Sequence, residues 1–321
     1  EDLKKYSSDA KRIFDFPHAS YKYYEFFTDY AKKNYTLKKL DCLCHKHNSL
    51  LISKTDRYGV EFKTVICKEC GLIRASEMFT SEDLAHFYQN YYRNISDDSP
   101  GFKDPLEYYN TQALSGKSKI ELIKKYMRNI NPDISIIDVG GGTGGVLENF
   151  KPSKNLYLAD FFPPYLKVAK GKGINVIVGG LDKINFKPDL IILSNVIEHW
   201  NEFENEIKNL IKVQKINETI NYIEFPGVDS LKYGRRAGDL LGDIHIPHVF
   251  YFSSYVFENI MNRYGFEKIY IDSHIRGIFK YTGKKSNLIN FFSKACEDLK
   301  LAEKRRRYEA FKRLIKKILP Q

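Results

Sequence analysis

The chain has 321 residues, of which 43% are hydrophobic and 28% are charged, and its formal net charge is +11. This length can bury a large core plus a smaller one, and the composition excludes wholesale disorder. Residues 284–321 hold 12 Lys and Arg against 4 Asp and Glu, so +8 of the +11 lies in this tail. The nearly neutral body argues against a nucleic-acid partner. Neither an apolar run of membrane-spanning length nor an apolar signal core is present, which predicts a cytoplasmic location.

Residues 1–40 are rich in aromatic residues and lysine, and we expect one or two helices there that pack on the body. Four of the five cysteines follow. The Cys-x-x-Cys-Gly turn can direct two thiolates at one metal ion, whereas the earlier Cys-x-Cys pair is poorly spaced for it, so that His45 or His47 could replace a thiol. The sequence predicts a zinc-ribbon-like module with structural zinc, and the alternative is a set of reduced thiols that has lost its metal. The predicted ligands are Cys42, Cys44, Cys67 and Cys70.

The next segment is predicted to be helical with one interruption. Thr80 and the acids after it predict a helix N-terminus, and this helix should run to about Tyr92. A polar loop at Asn94–Pro105 is a candidate hinge or lid, and a second helix is expected over Leu106–Asn129.

From Ile134 the pattern alternates between strands and helices, which predicts an α/β fold with a Rossmann-like, doubly wound, mostly parallel sheet. The first strand ends in the acid Asp138, and a loop with five glycines leads to a helical pattern from Val146. A helix is expected at Pro164–Lys170. Further strands are predicted at Leu156–Asp160, Asn175–Val178, Asp189–Ser194, Thr219–Phe225, Glu267–Asp272 and Ile278–Tyr281.

The glycine loop satisfies the dinucleotide fingerprint G-x-G-x-x-G, so a nicotinamide enzyme has to be weighed. Two features argue against it. Asp138, two residues before Gly140, suits a ligand with a cationic amino group, and the segment Ser194–Trp200, which reads Ser-Asn-Val-Ile-Glu-His-Trp, closes the fourth strand. Asp160, 20 residues beyond Gly140, suits the two hydroxyls of an adenosine ribose.

Taken together, these motifs resemble those of the class I S-adenosylmethionine-dependent methyltransferases, over roughly residues 111–283. The resemblance implies that Asp138 contacts the amino group of S-adenosylmethionine and that the glycines line its methionine and ribose. It places Asp160 at the ribose, and Leu181 and Asp182 at the adenine. The complete predicted donor site is Asp138, Gly140, Gly142, Gly144, Asp160, Leu181, Asp182 and Asn195.

The resemblance extends to methyltransferases of sugar and surface-glycan pathways that carry an N-terminal zinc-binding module. The segments Thr55–Gly59, Cys67–Leu72, Glu224–Pro226 and His245–Ser253 look like that group. The irregular Cys-x-Cys and the short basic tail depart from its C-methyltransferases. We therefore expect O-methylation of a sugar or sugar phosphate in capsule or lipopolysaccharide biosynthesis. The alternatives are sugar C-methylation, RNA or protein methylation, and a catalytically silent binding protein.

Methyl transfer to a hydroxyl benefits from a general base, and three histidines are candidates. His199 should begin the helix after the fourth strand, and His245 and His248 should overhang the same mouth. We expect His248 to be the base, with Glu224 as its orienting partner or as a substrate contact. Arg235 and Arg236 could bind a phosphate of the acceptor, or lie in a solvated loop.

The sequence predicts three parts: a helical and zinc-ribbon-like module at 1–110, a methyltransferase domain at 111–283, and a basic amphipathic helix at 284–321. Apolar residues from Leu288 to Ala302 lie on one face of this last helix. Packing on its own domain or homo-oligomerisation is the expected role of that face, and peripheral contact with an anionic membrane is the alternative.

Overall fold

The computed structural model describes residues 18–92, 104–127 and 130–318. The chain begins there with helix α1 (His18–Glu25), a π-helical turn (Phe26–Tyr30) and helix α2 (Ala31–Asn34). Tyr23, Phe26 and Phe27 of this segment are buried, whereas Tyr21 and Tyr30 are exposed. The prediction of helices before residue 40 is therefore confirmed over the described part.

Five short strands form the next segment. β1 (Leu37–Lys39) and β5 (Glu77–Phe79) form an antiparallel ribbon. A second, antiparallel sheet contains β2 (Ser49–Thr55), β3 (Glu61–Cys67), β4 (Ile73–Ala75) and a later strand, β11 (Phe250–Tyr251).

Two helices lead to the main sheet. In α3 (Ser81–Asn90), the hydroxyl of Thr80 accepts a hydrogen bond from the Asp83 amide, which confirms the predicted N-cap. Helix α4 (Pro105–Tyr126) begins at the cap residue Asp104. Residues 94–103 of the predicted lid lie outside the described residues.

The main sheet has seven strands: β6 (Ser135–Val139), β7 (Asn155–Asp160), β8 (Asn175–Val178), β9 (Leu190–Ser194), β10 (Ile220–Glu224), β12 (Phe266–Ile271) and β13 (Arg276–Tyr281). Their order in the sheet is β12-β13-β10-β9-β6-β7-β8. All neighbours from β10 to β8 are parallel, and β13 runs antiparallel to both of its neighbours. The α/β class and the mostly parallel sheet are thus confirmed.

Helices α5 (Pro163–Gly171), α6 (Phe203–Lys212) and α7 (Ser254–Arg263) connect these strands. The helix predicted from Val146 is instead a 3-10 turn, Gly145–Phe150. Pro152 limits its length, because a proline disfavours helical backbone at the residue before it. The prediction for His199 is also wrong: it ends a 3-10 turn, Ile197–His199, and α6 begins only at Phe203.

One apolar core extends across residue 110, since it includes Ile52 and Phe62 of the first part and Phe252 and Phe257 of the second. The boundary at that residue stays a prediction. Helix α8 (Phe292–Ile318) packs through the buried residues Ala295, Leu299 and Ala302. A β-carbon on Gly238 would overlap the carbonyl oxygen of Ala302, so the helix approaches this loop backbone closely. Further along α8, Tyr308, Phe311 and Ile315 are exposed.

Candidate active site

The glycine loop after β6 is shaped by backbone that favours glycine. Gly140, Gly142 and Gly144 have φ values of 67°, 62° and 75°, in the left-handed region. A β-carbon at Gly141 would overlap the Asp138 carboxyl group, and one at Gly145 would overlap the carbonyl oxygen of Tyr109 in α4. The loop therefore folds tightly between the end of β6 and helix α4.

Gln112 of α4 holds this loop in place. Its side-chain nitrogen donates to the carbonyl oxygen of Gly141 at 3.0 Å. Its Oε1 accepts from the Thr143 amide at 3.1 Å, from the Thr143 hydroxyl at 2.5 Å and from the Gly145 amide at 3.3 Å. One side chain thus satisfies donors and an acceptor along the whole loop.

Asp160, at the end of β7, binds the same loop from the other side. One carboxylate oxygen accepts from the Gly142 amide at 2.9 Å, and the other accepts from the Phe162 amide at 2.9 Å. The side chain is 7% exposed. Asp160 therefore joins the glycine loop to the turn after β7.

Asp138 is the best marker of a bound ligand. It is 1% exposed, and within the described part of the chain its Oδ1 has no hydrogen-bond partner. A buried polar atom usually has a partner, so this oxygen fits a donor supplied by a ligand. Burial raises the pKa of Asp138 to about 7, although nearby Lys119 acts in the opposite direction.

A cleft of about 420 Å³ opens beside the loop. It is lined by three of the predicted donor residues, Asp138, Gly140 and Asn195, and by two of the predicted catalytic histidines. Its lining residues are Tyr92, Tyr108, Thr111, Gln112, Ser115, Lys119, Asp138, Gly140, Gly141, Val146, Ser194, Asn195, His199 and His248.

The three histidines lie together, as the sequence predicted. The rings of His245 and His248 have centroids 3.9 Å apart, and those of His199 and His248 are 4.7 Å apart. Nδ1 of His199 lies 2.8 Å from the Pro247 carbonyl oxygen and 2.9 Å from the Tyr88 hydroxyl. Because a carbonyl only accepts, Nδ1 carries the proton and Nε2 has a free lone pair.

Burial keeps these imidazoles neutral. It lowers the pKa of His199 to about 4 and the pKa values of His245 and His248 well below their usual value. Burial also raises the pKa of neighbouring Glu198 to about 8. The side chains at the end of the cleft near the histidines therefore favour their uncharged forms.

The N-terminal module positions the loop that carries His245 and His248. The Tyr23 hydroxyl donates to Asp56 at 2.9 Å and accepts from the Ile246 amide at 2.8 Å. The Ala75 amide donates to the Val249 carbonyl oxygen at 2.9 Å, just before β11 pairs with β4. The resemblance over Thr55–Gly59 thus falls on residues that hold the histidine loop.

Glu224 is not placed as the partner of His248. It forms an ion pair with Lys119 and accepts a hydrogen bond from the Tyr222 hydroxyl at 2.7 Å. Lys119 also donates to the Ser194 hydroxyl at 3.1 Å. Glu224 therefore belongs to a polar network with Lys119 and Ser194, and it is these two residues that line the cleft.

The remaining predicted residues divide into two groups. Asn195 lines the cleft with a positive φ of 56°, and its amide donates to the Glu224 carbonyl oxygen at 2.7 Å. Leu181 is buried in a 3-10 turn beyond β8, and Asp182 in the same turn pairs with Lys183 at 2.9 Å. Neither Leu181 nor Asp182 lines the cleft, so the adenine contact stays a prediction.

Arg235 is not available to bind a phosphate. Its guanidinium forms a two-pronged pair with Asp243, with distances of 2.6 and 2.5 Å, and donates to the Gly227 carbonyl oxygen at 2.9 Å. The prediction of an anion contact is therefore wrong for this residue, because the fold uses its donors internally. Arg236 is 48% exposed.

The four cysteines of the N-terminal module converge. Their sulfur atoms all lie within 4.8 Å of one another, and the Cys42–Cys70 and Cys44–Cys67 sulfur pairs are each 3.5 Å apart. A tight turn, in which the His45 amide donates to the Cys42 carbonyl oxygen at 2.7 Å, brings the Cys-x-Cys pair onto one side. Because of this turn, both thiols of the Cys-x-Cys pair can face one metal ion despite their close spacing in the sequence. Tetrahedral zinc holds sulfurs about 3.8 Å apart, so the set fits zinc.

The two histidines offered as substitutes lie elsewhere. His45 pairs with Glu204 at 3.1 Å, and His47 lies 3.5 Å from Asp41. Neither histidine belongs to the sulfur cluster.

Sequence reasoning missed three residues of the site: Gln112, Lys119 and Glu198. Gln112 and Lys119 lie on a helix whose register against the glycine loop follows from tertiary packing and not from a motif. Glu198 belongs to the segment Ser194–Trp200, and its position next to His199 in the sequence could have identified it as a site residue.

The site can now be compared with known proteins. Residues 111–271 match a family model described as "Methyltransferase domain", and the chain belongs to this family. No curated protein matches the chain. The chain is an S-adenosylmethionine-dependent methyltransferase.

Among solved structures, magnesium protoporphyrin IX methyltransferase from Synechocystis, with bound S-adenosylhomocysteine, is 15% identical over 62% of this chain and 98% of its own, with a TM-score of 0.43. A plantazolicin methyltransferase in complex with a substrate analogue is 18% identical over 70% of this chain and 91% of its own, with a TM-score of 0.42. A Pyrococcus horikoshii protein is 18% identical over 61% and 99%, with a TM-score of 0.44. Among the described residues, no helix is long and apolar enough to cross a bilayer.

Proposed function

We propose that this methyltransferase transfers a methyl group to a hydroxyl of a sugar or sugar phosphate, in the biosynthesis of a surface polysaccharide. One observation carries the proposal: His199 and His248 line the same cleft as Asp138 and Gly140. Groups able to deal with a hydroxyl proton therefore lie next to the residues that fit the methyl donor.

The donor end of the cleft follows from the loop geometry. S-adenosylmethionine supplies an activated methyl group and its own leaving group. Asp138 would accept the amino group through its unpartnered oxygen, and Gly140, Gly142 and Gly144 let the backbone approach the ligand closely. Asp160 would bind the ribose from the end of β7 while it braces the loop.

The acceptor end has the chemistry that a carbohydrate needs. Tyr92 and Tyr108 offer rings that can pack on a sugar, and Lys119 and Ser194 offer polar contacts at the floor. The enzyme chiefly aligns the two reactants for in-line displacement and excludes water. The partly buried histidines, whose pKa values burial lowers, would be neutral at the point where the hydroxyl would lie.

The phosphate of a sugar phosphate acceptor has less support than the sugar itself. A sugar phosphate would have to be recognised without Arg235, whose donors are occupied by Asp243. Sugar C-methylation and methylation of RNA or protein stay as alternatives.

We also propose that Cys42, Cys44, Cys67 and Cys70 hold a structural zinc ion, because their four sulfurs are placed for tetrahedral coordination.

The experiment is a turnover assay with S-adenosylmethionine against nucleotide sugars, lipid-linked glycans, peptides and RNA, with formation of S-adenosylhomocysteine as the readout. We expect turnover with a carbohydrate, and a product with an O-methyl group in its NMR spectrum. Turnover with RNA or peptide alone would contradict the proposal, and a C-methyl product would favour the sugar C-methyltransferase alternative.

The catalytic role of His248 is tested with the winning acceptor. His248→Ala should lower turnover by ~10²-fold while leaving binding of S-adenosylhomocysteine intact. His274→Ala is the matched control, because His274 lies in an exposed turn after β12. Turnover of His248→Ala at the wild-type rate would remove His248 from the mechanism.

A further inference from the structure

Glu198 is a buried carboxyl group that has no role in donor binding or as the proposed base. Its side chain is 3% exposed, and neither carboxylate oxygen has a hydrogen-bond partner within the part of the chain that the structure describes. An ionised carboxylate that is buried is normally paired with a cation or coordinates a metal, and without such a partner the group takes up a proton. Glu198 therefore marks a place for a positive charge.

Two imidazoles lie beside this carboxyl group. Nε2 of His199 is 3.9 Å from Oε1 of Glu198, and one donor atom each from Glu198, His199 and His248 lies within 4.8 Å of the others. Atoms coordinated to one ion at about 2.1 Å are at most about 4.2 Å apart. Small side-chain rotations therefore suffice to bring the three donor atoms within coordination distance of one ion.

The surroundings of His199 also fit a metal ligand. Its Nδ1 is held by the Pro247 carbonyl oxygen, which fixes the ring and leaves Nε2 directed away from that contact. Metal-binding histidines usually have their second nitrogen held in this way. His199 and His248 line the cleft, so an ion between them would have positions open toward the acceptor.

We propose that Glu198, His199 and His248 form a binding site for a divalent first-row transition metal ion at the acceptor end of the cleft. Two imidazoles and one carboxylate are a donor set that suits Mn²⁺, Fe²⁺, Co²⁺ or Zn²⁺ and leaves coordination positions free. The site is separate from the four cysteines, whose thiolates select a softer ion and leave no open position.

The role of this ion rests on the proposed function. The acceptor hydroxyl binds the ion, which lowers the pKa of that hydroxyl, and the proton leaves to water. An oxygen lone pair forms the new O–CH₃ bond while the S–CH₃ bond breaks, and its electron pair stays on sulfur, which becomes a neutral thioether. The oxidation state of the metal does not change. His248 acts here as a ligand, in place of the direct base that the sequence predicted.

The test uses Mn²⁺ alone, because its free ion has a strong electron paramagnetic resonance signal and because it competes poorly with zinc for thiolates. Full-length protein that holds one zinc ion per chain in the cysteine cluster, with all other zinc removed, is titrated with Mn²⁺ in the absence of acceptor. We expect one Mn²⁺ per chain. Glu198→Gln should weaken this binding by at least tenfold, since it removes the anionic ligand, while binding of S-adenosylhomocysteine is kept.

Two controls keep the outcome clear. Glu202→Gln changes a carboxyl group four residues away, whose contacts are Ser81 and Asn205, and it should bind Mn²⁺ like wild type. If Glu198→Gln fails to fold, the wild-type stoichiometry still decides. Absence of Mn²⁺, Co²⁺ and Zn²⁺ binding beyond the one ion of the cysteine cluster would overturn the proposal.

Turnover separates this inference from the proposed function. Carbohydrate methylation that stops after chelation and returns with Mn²⁺ supports both. Carbohydrate methylation at an undiminished rate in metal-free buffer overturns the metal site and leaves the proposed function standing. Mn²⁺ binding at Glu198 without carbohydrate turnover supports the site and rejects the acceptor class.

Discussion

Gln112 binds Thr143 twice, because its Oε1 accepts both the backbone amide at 3.1 Å and the side-chain hydroxyl at 2.5 Å. The two residues belong to different elements, so this contact fixes the glycine loop against helix α4. The conformation of the loop in the absence of donor therefore depends on the side-chain amide of Gln112, which lies outside the glycine motif.

Gln112→Leu tests this dependence. The change leaves the Thr143 and Gly145 amides without their acceptor, and an unsatisfied buried donor costs about 1–3 kcal/mol. We expect affinity for S-adenosylhomocysteine, measured by calorimetry, to fall roughly tenfold or more. Ser118→Ala, on the exposed face of the same helix, should bind normally. Equal affinity in both variants would show that Gln112 does not order the loop.

The pKa of Asp138, raised to about 7 by burial, predicts a pH-dependent donor affinity. The protonated carboxyl cannot pair with the ammonium group of the donor, so affinity should rise with pH up to about 7, by up to ~tenfold per unit. Calorimetry with S-adenosylhomocysteine at several pH values below 7 measures this slope. Asp138→Asn should bind more weakly and show a flat profile.

The raised pKa of Asp138 makes the free energy of unfolding of the donor-free protein fall with rising pH, whereas donor affinity rises. The folded donor-free chain holds the Asp138 proton more tightly than the unfolded chain, so this contribution to stability is present at low pH and is lost as the pH rises through about 7. Unfolding in urea, compared between wild type and Asp138→Asn, should show that loss in wild type only. A parallel pH dependence in both proteins would contradict the assignment.

Gly145→Ala probes the approach of the glycine loop to α4. The new methyl group would overlap the Tyr109 carbonyl oxygen, and overpacking of this kind costs about 1–3 kcal/mol. Unfolding in urea measures this loss. Gly171→Ala is the control, since a β-carbon there meets no atom within 4 Å, and its free energy of unfolding should be unchanged or slightly higher.

Removal of one cysteine tests the proposed zinc ion. Cys67→Ser should lose the metal and lower the melting temperature by at least about 5 °C, because metal binding contributes directly to folding. Metal analysis and thermal denaturation are the measurements. Cys296→Ser, which lies in α8 outside the sulfur cluster, should keep both zinc and stability. Wild-type protein with less than half an equivalent of zinc would exclude the ion.

The sheet was predictable because its signals are local. Buried runs such as Leu190–Ser194 and the acids Asp138 and Asp160 at strand ends repeat a pattern that parallel sheets require. The Thr80 cap was predictable for the same reason, since its hydrogen bond spans three residues.

Contacts between distant segments were not predictable in this way. The two-residue strand Phe250–Tyr251 carries no periodicity, and it exists because β4 offers it an edge. Glu224 and Lys119 are 105 positions apart, and no spacing rule connects a helix to a strand end at that separation. The histidine cluster was anticipated as a group, whereas the internal use of Arg235 depends on a loop conformation that composition does not encode.

The pairing of Phe250 with Arg74 also bears on how the chain folds during synthesis. The sheet of β2, β3 and β4 lacks its last strand, β11, until the ribosome has made most of the methyltransferase domain. Until then the edge of β4 is open, and open edges invite pairing with other chains. We therefore expect a fragment that ends near residue 110 to aggregate, and this long-range closure to be a late step of folding.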